Sequence, residues 1–328
     1  MAPCRAVPAA ICALCLALLP AGSALSRDYP AKPIRFVIPF PAAGFSDILG
    51  RLLGQRLSEI VGQPVVNDNR AGASGNIGAD IVAKASPDGH TLLINSFNFV
   101  ANPGVNALPF DPIRDFAAVS LIADGPPLVM AVASSTAFRS VKELIAYARA
   151  NPGRLNLATS GAGTSADLAA DLLGSIAGIK VVQVPYKGSA PALTAVVSGE
   201  VALTFPNLPA ALPLLGNNRL RALAVTSAQR TSALPDVPTL IESGMPGFEL
   251  NGFLGVLAPA RTPPAVVRTL HAKLSAITRE AGFGDRLKDY GMRPVGSSPA
   301  EFAAFLKAQI VKWTEFQNTK TLGAPRSS

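Results

Sequence analysis

The sequence predicts an α/β protein of two lobes, each a mostly parallel sheet flanked by helices. Short β-branched runs alternate with amphipathic segments of helical period, glycine-rich or proline-rich loops separate them, and the alternation starts afresh after residue 125. With 328 residues, 49% hydrophobic and 15% charged, the chain has the apolar content for two cores and too much of it for disorder. The 29 prolines and 28 glycines follow no three-residue period, which excludes collagen, and no repeat of solenoid length is visible.

Residues 1–26 read as a secretory signal peptide. Arg5 precedes an apolar run, Val7 to Leu19, too short to cross a hydrocarbon core of roughly 30 Å, and the small residues Ala21 to Ala24 follow. Cleavage after Ser23, Ala24 or Ser26 would each place small residues where a signal peptidase reads, and Ser26 is favoured because the polar segment Arg27-Asp28-Tyr29-Pro30 follows it. All three cysteines, Cys4, Cys12 and Cys15, fall in this leader, so the mature chain would form neither disulfides nor thiolate metal sites. It would carry 28 basic against 21 acidic residues, a net charge of +7. With no Lys/Arg run and a single Trp, that charge does not suit a nucleic-acid binder, although a positive field raises encounter rates with small anions.

In the first lobe, Ile34 to Phe40 reads as a strand, and the leucines and isoleucines from Ile48 to Val61 recur at helix spacing. Pro64 to Asn67 is the next strand, Asn69 to Gly75 a loop, Asn76 to Lys84 a helix and Thr91 to Asn95 a strand. The triplet Gly125-Pro126-Pro127 marks a break. Beyond it Leu128 to Ala133 and Leu155 to Ala158 are strands, with a helix from Val141 to Arg149 between them. Leu168, Leu172, Leu173 and Ile176 then line another helix, and the runs from Lys180 to Thr226 complete the second set. Phe253 to Ala258 is a last strand. Pro263-Pro264 opens a helix, and Pro299 to Phe316 forms a final one whose Phe302, Phe305, Leu306, Trp313 and Phe316 should pack back on the first lobe. Residues 27–125 with 250–328 are therefore expected as lobe 1, residues 126–249 as lobe 2, with hinge segments between them.

Two loops leave a strand end and enter a helix, where unpaired N–H groups and the helix dipole favour anions. Pro39 to Asp47 contains Gly44, which permits close backbone approach, and Ser46 and Asp47 as caps; Thr159 to Ser165 contains two glycines and four hydroxyls. One such loop in each lobe suggests a cleft that closes on a ligand. A third loop, Asn69 to Asn76, carries Arg70, which either meets a carboxylate or buttresses the domain. None has a Walker lysine or a full dinucleotide fingerprint, so no nucleotide cofactor is expected.

Catalytic groups are scarce. The two histidines, His90 and His271, lie beside a turn and within a helix, away from Ser160 and Ser165, which leaves a hydrolase triad unsupported. No two-histidine motif exists for zinc, and Asp167 with Asp171 reads as a solvated helix face. The residues point to binding, with no enzyme activity, cofactor or metal called for.

In this order the motifs resemble those of the Bug/TctC family, periplasmic solute-binding receptors of tripartite tricarboxylate transporters. The resemblance runs from Tyr29-Pro30-Ala31-Lys32-Pro33-Ile34 to about Trp313. It includes Pro39 to Asp47, Asn69-Arg70-Ala71-Gly72, Ser86-Pro87-Asp88-Gly89-His90, Val184-Pro185-Tyr186-Lys187-Gly188, Leu234-Pro235-Asp236-Val237-Pro238 and Leu257-Ala258-Pro259. It implies a two-lobed periplasmic binding protein of type II-like fold, closing like a flytrap on a small organic acid: a carboxylate, an acidic amino acid or a related metabolite. Carried over residue by residue, it implies ligand contacts from Phe40, Ala43, Gly44, Ser46 and Asp47 in one lobe. Ala162, Gly163, Thr164, Ser165 and Asp167 would face them from the other, with Tyr186 and Asn207 at matching strand ends.

Three positions depart from the family pattern. Ala43-Gly44 stands where relatives have two glycines, Asp167 where many have histidine, and Pro206 where many have aspartate before the asparagine. The resemblance further implies a monomer that serves a membrane permease and binds no nucleic acid. A sensor whose closed form docks on a signalling protein would use the same binding chemistry.

Overall fold

Both faces of the run Ile34–Ile38 are buried, as befits a strand covered by helices on each side, and it forms β1. The computed structural model describes residues 29–42, 45–104, 107–161 and 163–323; the expected signal peptide lies outside them. After β1 come α1 (Phe45–Val61), β2 (Val65–Asn69), a short 3₁₀ turn at Ala73–Gly75, α2 (Asn76–Ala83), β3 (Thr91–Asn95), α3 (Phe97–Ala101) and β4 (Phe116–Pro127). The chain then enters a second series: β5 (Val129–Ala133), α4 (Val141–Ala150), β6 (Leu155–Thr159), α5 (Ser165–Ala177), β7 (Val181–Pro185), α6 (Ser189–Val197), β8 (Leu203–Thr204), α7 (Leu208–Gly216) and β9 (Leu220–Val225). It returns through β10 (Asn251–Pro259), α8 (Pro264–Thr278), α9 (Ala281–Asp289), β11 (Arg293–Pro294) and α10 (Pro299–Gly323).

These strands make two sheets with a shared order. The first runs β2-β1-β3-β10-β4-β11, the second β7-β6-β8-β5-β9. In each, one strand, β1 or β6, pairs in parallel with the next two strands of the chain, one on either side: β1 with β2 and β3, β6 with β7 and β8. The next position is taken by the strand that has just arrived from the other sheet, β10 or β5, and it runs antiparallel to both neighbours. Both sheets are thus mixed, because the incoming strand enters from the carboxyl edge and runs against the strands on either side of it.

The triplet Gly125-Pro126-Pro127, which reads as a break in the sequence, lies inside the long β4. The ladder with β10 shifts register there, between Asn251 and Phe253, which accommodates two residues that cannot donate a backbone N–H. The crossing from the first sheet to the second therefore occurs at Leu128. Residues 226–250 make the return.

Alternate faces of each sheet feed separate cores. Ile34, Phe36 and Ile38 pack with Leu49, Leu53 and Leu57 of α1 and Leu270 and Leu274 of α8. Val37 faces a cluster that includes Phe302, Leu306, Ile310 and Trp313 of α10 and continues through Phe253, Phe248 and Phe205 to Leu157 and Leu173 of the second sheet's layer. The C-terminal helix thus packs on the first sheet along the face its spacing predicts; the Trp313 indole meets Phe97 edge-on at 5.0 Å and donates to Gln309 Oε1 at 3.1 Å. Ala158 and Ala131 face a third cluster with α6 and α7. Among the described residues no helix is long and apolar enough to cross a membrane.

One ion cluster braces the edge of the first sheet. Asp68 of β2 accepts from Arg35 of β1 and from Arg70 Nε at 3.1 Å. Burial pushes its carboxyl upward, but the hydrogen bonds and charges of the two arginines outweigh it and hold the group below the usual carboxylate range. A folded-state value below the unfolded one means that the ionised carboxylate stabilises the fold at neutral pH. That contribution is lost as pH falls through about 4 toward the depressed native value. In urea melts, the stability gap between wild type and Asp68→Asn should be widest at neutral pH and narrow as pH falls below the ordinary carboxylate range. A gap that stays constant would remove Asp68 from the pH response.

Candidate functional site

In both sheets, the loop after β1 or β6 lies where strand order turns back, since β2 and β3 flank β1 and β7 and β8 flank β6. Open α/β sheets bind ligands outside the carboxyl ends of strands at such a position. The loop between β1 and α1 and the loop between β6 and α5 occupy equivalent places. Of the twelve residues expected at the site, Ala43, Gly44 and Ala162 lie outside the described residues.

Asn69 anchors the first loop. Its Nδ2 donates to the Phe40 carbonyl and to Asp47 Oδ1, both at 3.0 Å, and its Oδ1 accepts from Arg51 Nη2 at 3.1 Å. Asp47, in the first turn of α1, is buried, and its other oxygen accepts from Arg51 Nε at 3.0 Å. The four-residue spacing of Asp47 and Arg51 puts them on one helix face, and the carboxylate holds Arg51 protonated above its ordinary range. Asp47 thus ties loop, helix and β2 together. Ser46 is buried beside it, while Phe40 is half-buried.

The third glycine loop closes over Phe40. Gly75 has a φ of 96°, and a Cβ there would stand 3.5 Å from the Phe40 ring. Asn102 Nδ2 donates to the Ser74 carbonyl at 2.9 Å and to Asn76 Oδ1 at 2.8 Å. Between these groups and Asn95, at the end of β3, lies a cavity of about 10 Å³. That is the scale of one water molecule. Its wall carries the buried Asn95 amide and Asn102 Oδ1, none of whose atoms has a protein partner. Arg70 pairs with Asp68 at 3.0 Å, which fits the buttressing role.

In the second loop, Gly161 and Gly163 have φ of 120° and 72°, conformations that suit glycine. The Gly163 amide donates to Asp167 Oδ2 at 2.9 Å, and Thr164 Oγ1 donates to the Gly161 carbonyl at 2.7 Å. The loop is self-braced. Asp167 lies in the N-terminal turn of α5 and occupies the Gly163 N–H. The Ser165 hydroxyl begins the helix half-exposed. Thr159 Oγ1, buried at the end of β6, has no protein partner. Asp171, expected on a solvated face, accepts from Gln183 Nε2 at 2.5 Å.

Tyr186 and Asn207 follow β7 and β8. The Tyr186 hydroxyl donates to Glu200 Oε1 at 3.0 Å, which turns it along its own sheet, and Asn207 caps α7 while bridging Leu128. The sequence reading passed over Asn69, Asn95 and Asn102 as site-builders. An Asn-Arg-Ala-Gly motif is visible, but which backbone an asparagine secures depends on strands far away in the chain. No group of histidine, cysteine or carboxylate side chains among the described residues could hold a metal ion.

The tripartite tricarboxylate transporter family receptor, TctC, matches residues 49–322. The chain belongs to the TctC family. Its relatives include the UPF0065 protein in the tcbD-tcbE intergenic region of Pseudomonas sp. (strain P51), 40% identical over 87% of this chain and 85% of that one. Among solved structures, "R. palustris Rpa4515 with adipate" is 38% identical with a TM-score of 0.81, covering 89% of this chain and 98% of the other. "MatC (Rpa3494) from Rhodopseudomonas palustris with bound malate" is 29% identical with a TM-score of 0.77, covering 88% and 100%. The TctC member is therefore a periplasmic solute-binding protein in fold and family, and the receptor reading of its sequence holds.

Proposed function

We propose that this TctC receptor captures a small carboxylate in the periplasm and hands it to the permease of a tripartite tricarboxylate transporter. The observation that carries this reading is the shared strand order, which sets the β1 and β6 loops at equivalent switch points of two sheets joined by two crossing segments. The family match and the adipate-bound and malate-bound relatives support the ligand class.

In this reading, residues 27–125 with 250–328 form one lobe and 126–249 the other, and the protein works as a monomer after export by its signal peptide. Phe40, Ala43, Gly44 and Ser46 meet the ligand from the first lobe; Ala162, Thr164 and Ser165 meet it from the second, with Tyr186 and Asn207 at the rim. Asp47 and Asp167 act chiefly by holding loop shape, since their carboxylates accept hydrogen bonds from protein donors. Contacts from both lobes favour the closed state over the open one.

Titration calorimetry with adipate and malate tests the site. Gly163→Val forces a β-branched residue into a left-handed conformation and should weaken binding about tenfold or more. Asp47→Ala releases Asn69 and Arg51 and should weaken it in the same direction. Unchanged affinity in both variants would refute the site. Reconstituted uptake that depends on this receptor would support the permease partner.

A further inference from the structure

Beside the loop between β1 and α1 lies a turn whose backbone is strained. In four successive residues, Gly72, Ala73, Ser74 and Gly75, φ is 133°, 47°, 55° and 96°. Glycine accepts such angles freely, whereas a residue with a Cβ resists them, because the Cβ crowds the following carbonyl oxygen. Ala73 and Ser74 therefore stay left-handed only while their surroundings hold them there.

The restraints are three hydrogen bonds to successive carbonyls. The Gly72 carbonyl accepts from Gly75 N at 2.9 Å and the Ala73 carbonyl from Asn76 N, both bonds being local to the turn. The third comes from far along the chain: Asn102 Nδ2 donates to the Ser74 carbonyl at 2.9 Å and to Asn76 Oδ1 at 2.8 Å. Asn102 is 1% exposed and directly follows α3, whose Phe97 packs on Trp313, so this donor is mounted on the core. The turn in turn presses on Pro39 and Phe40. A Cβ at Gly75 would stand 3.4 Å from Pro39 Cβ and 3.5 Å from Phe40 Cζ, and one at Gly78 would come within 2.9 Å of Pro39 Cα. Turn and helix start thus lie flat against the beginning of the β1 loop, while Asn69 secures the Phe40 carbonyl.

We propose that Asn102 is a positioning residue for ligand binding: it latches the strained turn, and the latched turn holds Phe40 in the conformation that receives the carboxylate. The proposal rests on the reading above, in which Phe40 meets the ligand from the first lobe. Without the Asn102 amide, Ala73 and Ser74 relax out of the left-handed region and Gly75 moves off Phe40. The binding-competent loop then becomes a minority conformation, and apparent affinity falls by that fraction. Glycine at both strained positions carries no bias against left-handed angles, so it makes the latch dispensable.

The test is titration of the full mature chain with adipate, alongside hydrogen exchange of the ligand-free protein. Asn102→Ala should weaken adipate binding about tenfold. Adding Ala73→Gly and Ser74→Gly to Asn102→Ala should recover most of that loss, a rescue that a residue serving only the stability of the fold would not permit. Exchange across residues 38–48, none of which touches Asn102 through a hydrogen bond, should be faster in Asn102→Ala than in wild type and slow again in the triple variant. Should Asn102→Ala fail to fold, Asn102→Ser, whose hydroxyl is too short to reach Ser74, takes its place under the same criteria. Unchanged affinity, a loss that the two glycine substitutions leave in place, or exchange that does not respond overturns the latch. If wild type binds no adipate while exchange shows the loss and its recovery, the carboxylate reading falls and the latch stands.

Discussion

Gly255→Ala is expected to destabilise the receptor by about 3 kcal/mol, at the upper end of the usual cost of overpacking. Gly255 sits in the middle of β10 opposite Asn95, and a Cβ there would overlap the Phe302 ring and approach Asn95 Oδ1 to 2.5 Å. Neither neighbour has room to move. Phe302 is fully buried in the layer between α10 and the sheet, and Asn95 is 1% exposed. At about 2–3 °C per kcal/mol for a chain of this size, thermal melting should shift down by roughly 6–9 °C. Adding Phe302→Leu to Gly255→Ala should return part of the loss, since residues in contact couple. A melting temperature within a degree or so of wild type would show that α10 does not press on β10 as described.

Thr226→Val should cost about 2–4 kcal/mol and weaken ligand binding as well, from a change that preserves side-chain shape. Thr226 is fully buried where the two crossing segments meet. Its hydroxyl accepts from the Leu128 N–H at 2.8 Å and donates to the Leu250 carbonyl at 2.6 Å. Its backbone bonds the same two residues, with N donating to Leu128 O at 3.0 Å and its carbonyl accepting from Leu250 N at 3.1 Å. One residue therefore pins both passages between the sheets. Valine leaves a buried donor and a buried acceptor unmatched, whereas Thr226→Ser keeps both bonds and should stay near wild type. Equal stability of the valine and serine variants in urea unfolding would sink the idea that this hydroxyl holds the pivot.

Local structure was legible from local chemistry. The strand Thr91–Asn95 follows from its β-branched and apolar run between turns, and α8 from Pro263-Pro264 with leucines at helix spacing. The final helix showed its buried face in the spacing of Phe302, Leu306, Ile310 and Trp313. Strand β4 did not show itself, because Gly125-Pro126-Pro127 has the composition of a turn, and only the facing β10 draws it into a ladder. The glycine loops also stood out, since positive φ at Gly161 and Gly163 demands glycine within a few residues of a strand end.

What the loops do with their polar groups could not be read the same way. Asp47 and Asp167 resemble ligand contacts in the sequence, yet one carboxylate is bound to Asn69 and Arg51 and the other to the Gly163 amide. By itself, then, the sequence determined the α/β class, the order of most elements, the family and the two loops most suited to an anion, because periodicity, turn chemistry and motif order are local properties. Tertiary structure alone decided the common strand order of the sheets and the pinning of both crossings at Thr226. Those depend on residues such as Leu128, Thr226 and Leu250 that lie tens of positions apart and meet only when long-range strand pairing brings them together.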